Sequence, residues 1–142
     1  MVGNTAILIS PAPVDGYPPV QHQARLLADA GFDVELITVP LGWGSGAVQF
    51  AHSGVTVRAQ ALRKGGMVGA ARSTAGFVAA IAAARRRSLG RRQIEIAYEP
   101  SGMFYSDFAP MRPGIRIAHF HECLQQIDTA WLERRVASSI RG

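Results

Sequence analysis

Cysteine is almost missing from this 142-residue chain: Cys123 stands alone. A disulfide framework within the chain is excluded, and a reducing compartment, the cytoplasm, is the expected setting. Lysine is equally scarce, with Lys64 the only one beside fourteen arginines. No apolar run reaches the roughly 20 residues that a bilayer-spanning helix needs. The longest, Ala75 to Ala84, is far shorter. The opening MVGNTAILIS has no basic segment ahead of its apolar residues, so a signal peptide is not expected. Three glycine motifs are also lacking: G-x-G-x-x-G, G-x-x-x-x-G-K-[ST] and G-x-S-x-G. That removes the dinucleotide fingerprint, the P-loop and the serine-hydrolase elbow. Aromatics do not alternate with basic residues as they do on base-stacking surfaces, so no nucleic-acid partner is expected.

What is present is a globular composition. Hydrophobic residues make up 48% and charged residues 18%, which excludes disorder as the main state and supports one domain with its own core. The net charge of +5 is local, because Arg85, Arg86, Arg87, Arg91 and Arg92 fall within RRRSLGRR. Such a run is either an anion-binding patch or a solvated helix end. Lying on an anionic membrane surface is a further reading of the alanine-rich segment that ends in it.

Along the chain, apolar runs and helical patterns alternate. Thr5 to Ser10 is a continuous apolar strand of the kind buried on both faces. Pro18 and Pro19 suit a helix start, Val20, Ala24, Leu27 and Ala28 share a face, and Gly31 ends the helix. Further strands are expected at Asp33–Thr38, Gly54–Arg58, Arg92–Tyr98 and Ile115–His119. Between them come a glycine-rich loop from Pro40, a helix over Gly66–Arg87 with Met67, Phe77, Val78 and Ile81 as its bulky members, and a short helix from Met103 to Ala109. A last helix is expected from Asp128 or Thr129 through Ile140. This order predicts an α/β fold: a Rossmann-like, doubly wound, mostly parallel sheet of about five strands with helices on both faces. A fifth strand at the sheet edge would expose backbone groups and Ile115 and Ile117, inviting self-association or a partner half.

Ligands of such sheets bind at the carboxyl ends of the strands. Three segments fall there. Pro11 to Pro19 contains Gly16 and leads into a helix N-terminus, where phosphate is favoured; it equally reads as a plain connector. Tyr98-Glu99-Pro100-Ser101-Gly102 puts a carboxylate at a strand end, held extended by Pro100, as a sugar-hydroxyl acceptor, a base or merely a helix cap. In His119-Phe120-His121-Glu122 the two imidazoles point to one side of an extended chain. They suit proton transfer or substrate orientation, and equally a structural role. A metal would need His22 or His52, which the spacing does not bring near, so no metal is expected. Trp43 and Trp131 read as packing anchors, and Cys123 has no nucleophile signature around it.

The segment ILISPAPVDGYPPVQHQARLLADAGFDVELITV resembles the opening of GT-B-fold glycosyltransferases of the family 4 type: strand, glycine-containing loop, helix, then Gly31-Phe32-Asp33-Val34 and a second strand. IEIAYEPSGMF and RIAHFHE resemble the next landmarks, in the same order, so the resemblance covers nearly the whole chain. It implies transfer of a sugar from a nucleotide-sugar to a sugar or lipid-linked acceptor, with no cofactor and no bound metal, at the inner face of the membrane or in the cytoplasm. The chain would be the acceptor-holding N-terminal half. His119, His121 and Glu99 would be its catalytic groups, with Gly16, Tyr17, Tyr98, Ser101 and Glu122 binding substrate. Asp15-Gly16-Tyr17 stands where the family has a double glycine, and the donor-binding C-terminal domain has no counterpart here, so the isolated chain is expected to be inactive. The competing reading is a non-catalytic α/β binding or interaction module that pairs through its open sheet edge.

Overall fold

The structure, a computed structural model, describes residues 3–11, 18–39, 52–61 and 65–119. Its elements run β1 (Asn4–Ser10), α1 (Pro18–Asp29), β2 (Phe32–Thr38), β3 (Val55–Ala59), α2 (Gly66–Arg87), β4 (Arg92–Tyr98), α3 (Glu99–Phe108) and β5 (Ile115–His119). The five strands form one all-parallel sheet in the order β3-β2-β1-β4-β5. The α/β, doubly wound expectation is met. The glycine-rich loop after Pro40 and the helix expected toward Ile140 lie outside the described residues, as do Trp43, Cys123 and Trp131.

The apolar runs explain the layering. β1 is central, and six of its seven residues are buried because both faces are covered. Ala6, Leu8, Val34, Leu36, Ile96 and Tyr98 pack on one face with Val20 and Ala24 of α1. Ile7, Ile9 and Ile37 pack on the other with Phe77, Ile81 and Ala84 of α2. α1 begins at the two prolines and stops at Gly31, whose φ of +87° is the left-handed turn that glycine adopts without a Cβ penalty.

α2, with 22 residues, is long and apolar enough to cross a membrane by length and composition alone. Here it is a core helix: Phe77, Ile81 and Ala84 recur along one side and meet the sheet. Met67 lies outside that stripe and is 90% exposed, so it is not the core member that its size suggests.

The arginine run departs most from expectation. Arg85 is neither solvated nor patch-forming. It is fully buried, and its guanidinium meets Glu95 of β4 at 2.8 Å through both Nε and Nη2. It also donates to the carbonyls of Ser106, Ala109 and Pro110. Arg87 and Arg58 both hold Glu35 of β2, and Arg91 holds Asp33. Burial opposes ionisation of Glu35, but hydrogen bonds and charge from Arg87 and Arg58 outweigh it and keep the carboxyl below its usual range. An inward-facing carboxylate in a doubly covered strand draws in a guanidinium, because an unpaired buried charge is costly.

Candidate functional site

The strand order reverses between β1 and β4, and the connections leaving these strands part to opposite faces of the sheet. A crevice at the carboxyl ends of β1, β4 and β5 follows from this topology. α1 leads to the same end from one face and α3 from the other, so both helix N-termini lie at that edge.

Parallel register places Tyr98 beside His119, and both side chains stand on the face that α1 covers. Their rings lie 5.3 Å apart, tilted by 46°. Gln23 of α1 joins them. The Tyr98 hydroxyl donates to Gln23 Oε1, and Gln23 Nε2 donates to His119 Nδ1 at 3.3 Å. In this arrangement Nδ1 accepts from Gln23, leaving Nε2 as the ring nitrogen outside the chain. Tyr98 is 1% exposed, and its hydroxyl is committed to orienting the chain.

Glu99 follows Tyr98 directly and has a φ of +62°, a left-handed conformation that glutamate rarely adopts. Pro100 was expected to hold Glu99 extended, but the tight passage from strand to helix overrides that preference. Glu99 is also not the helix cap; Tyr98 occupies that position and Glu99 opens the first turn of α3. A strained residue at a strand-to-helix turn is a place where a fold spends stability to aim a side chain. Gly102 makes the turn possible. A Cβ there would meet the Ile9 carbonyl oxygen at 3.0 Å, so α3 starts hard against the end of β1 only because position 102 has no side chain.

Of the expected site residues, the structure brings Tyr98, Glu99 and His119 to one edge, with Ser101 exposed in the first turn of α3. Gly16, Tyr17, His121 and Glu122 lie outside the described residues. His22 is exposed on α1, and His52 pairs with Asp29 at 3.0 Å, away from this edge. Among the described residues, no three of His, Cys, Asp and Glu converge as metal ligands. Gln23 was missed. Its signal was a long polar side chain beside Val20 and Ala24, on the face that α1 turns to the sheet.

Compared with protein-family models, curated proteins and solved structures, the chain matches none.

Proposed function

We propose that the chain is a sugar-binding, acceptor-side half of a GT-B-type glycosyltransferase acting on nucleotide-sugars. The observation that carries this reading is the convergence of Glu99 and the Tyr98–Gln23–His119 chain at the switch point of the parallel sheet. A sugar hydroxyl needs both an acceptor for its proton and a donor for its oxygen. Glu99 supplies the acceptor, and His119 Nε2 supplies the donor. A carboxylate beside an acceptor hydroxyl can also take its proton as the oxygen attacks a donor sugar. The sequence resemblance to family 4 glycosyltransferases supports the same assignment.

The test is titration calorimetry with UDP-, GDP- and ADP-sugars and with free mono- and disaccharides. At least one member of the panel is expected to bind, with affinity at least about tenfold weaker in His119→Ala and Glu99→Gln, a loss of about 1.4 kcal/mol. Binding by none, or binding that neither substitution alters, contradicts the proposal.

The second reading, an interaction module, draws on a different observation. Among the described residues β5 is a sheet edge, and Ile115 and Ile117 on it are about half exposed. Sedimentation equilibrium separates the two. A self-associating chain that binds no sugar favours the module.

A further inference from the structure

At the opposite end of the sheet, where β1, β2 and β3 begin, a recess of about 210 Å³ opens beneath the C-terminus of α2. Arg58, Arg87 and Arg91 line it with Thr5, Thr56 and Glu35. The recess lies over β2 and β3, whereas Tyr98 and His119 end β4 and β5 on the other side of β1.

Its charge is unbalanced in one direction. Three guanidiniums face two carboxylates, Glu35 and Asp33, and the roughly half-unit negative end of α2, which leaves the recess net positive. The last carbonyls of α2 are themselves occupied: Ser88 Oγ donates to Ala84, and Gln93 donates to Arg85. Nor are the guanidiniums exhausted. Arg58 uses only Nε, toward Glu35 at 2.8 Å. Arg87 uses Nε and Nη2 on the same carboxylate, and Arg91 uses Nη1 on Asp33 and Thr5. Among the described residues, both Nη groups of Arg58, Nη1 of Arg87 and Nη2 of Arg91 have no hydrogen-bond partner. Glu35 holds Arg58 and Arg87 side by side, so the cost of bringing these two cations together is met before any ligand arrives.

We propose that this recess is a second ligand site, separate from the crevice, that takes a small dianion of the phosphate class. Planar guanidinium edges and the Thr5 and Thr56 hydroxyls offer the donors that tetrahedral oxyanions need. The volume accommodates a phosphate with a small substituent, either free in solution or as a lipid headgroup.

The test is thermal unfolding of the full chain and of Arg58→Gln and Arg91→Gln, with inorganic phosphate against chloride at matched ionic strength. Both arginines are partly exposed, with 41% of each side chain accessible, so the variants are expected to fold. Phosphate is expected to raise Tm saturably in the parent chain and to need at least about tenfold higher concentration in each variant. Vesicles of phosphatidic acid in phosphatidylcholine provide the second arm. Sedimentation of the parent chain with them, lost in the variants, assigns the anion to a headgroup. Nitrogen-15 shifts of the Arg58 and Arg91 Nε–H groups on phosphate addition give a readout in the unsubstituted chain. A Tm rise equal in all three proteins is general salt exclusion and overturns the proposal. So does the absence of response to both probes.

Discussion

Arg85 and Glu95 meet in a bidentate pair, Nε to Oε2 and Nη2 to Oε1 at 2.8 Å each, with 0% and 1% of their side chains exposed. The pair ties the end of α2 to the middle of β4. Ser106 and Arg116 extend it to α3 and β5: Ser106 Oγ donates to Glu95, and Arg116 donates to Ser106 Oγ at 2.6 Å and to Asp107 at 2.9 Å. Through this network the elements carrying Glu99 and His119 are held to the rest of the sheet.

Removing one partner strands a buried charge. Glu95→Ala is expected to lower the unfolding free energy by about 3–5 kcal/mol. The double variant Glu95→Leu with Arg85→Met removes both members of the pair, leaves Arg116 paired with Asp107, and is expected to lose less than Glu95→Ala. Urea denaturation of both checks this; equal losses would mean that the cost lies in packing rather than in charge.

Glu99 predicts an opposite sign for stability and for function. Glycine adopts a φ of +62° freely, so Glu99→Gly is expected to stabilise the fold by about 1 kcal/mol while abolishing sugar binding. Denaturation and calorimetry on one preparation measure both. A destabilised variant would show that the carboxylate holds the turn, rather than the turn holding the carboxylate.

Gly102→Ala acts on the same turn from beneath. The added methyl meets a backbone oxygen that cannot swing aside, and a loss of about 1–3 kcal/mol is expected. Sugar affinity should fall as well, because α3 must move and Glu99 opens it. Unchanged affinity in a folded variant would separate Glu99 placement from the α3–β1 contact.

The pH dependence follows from Glu35. Its folded pKa lies below the reference value of 4.5, so its contribution to stability is present above that value and is lost as pH falls through the lower folded one. Stability measured downward from pH 5 should fall, and Glu35→Gln should flatten that decline while lowering stability at neutral pH. An identical slope in the variant would assign the acid sensitivity to other carboxylates.

The sheet was legible because its strands are apolar runs that two covered faces require, and its first helix was marked at both ends by Pro18 and Gly31. β4 and β5 were bounded correctly, and that alone placed Tyr98 and His119 at the carboxyl edge. Within the arginine run the inward turn of Arg85 was not legible, because linear order cannot show which of three neighbouring arginines turns inward. Position 85 falls on the stripe of Phe77, Ile81 and Ala84, whereas Arg86 falls outside it. The partner lay ten residues on, as Glu95 in an apolar strand, a charge that had to be answered by another. The left-handed Glu99 was hidden for a similar reason. Pro100 favours an extended neighbour locally, while the close approach of Gly102 to Ile9 is tertiary.

The central claim is that the Tyr98–Gln23–His119 chain presents Nε2–H of His119 to a sugar beside Glu99. Its most direct measurement is the pair of ring nitrogen-15 resonances of His119, followed near pH 7.5 during titration with the nucleotide-sugar and saccharide panel. Before ligand, the account predicts a protonated Nε2 and an unprotonated Nδ1, a pattern that Gln23→Leu disturbs. On titration, at least one sugar shifts Nε2, and Glu99→Gln removes that shift. A proton resident on Nδ1, or resonances that no sugar moves, would contradict the account.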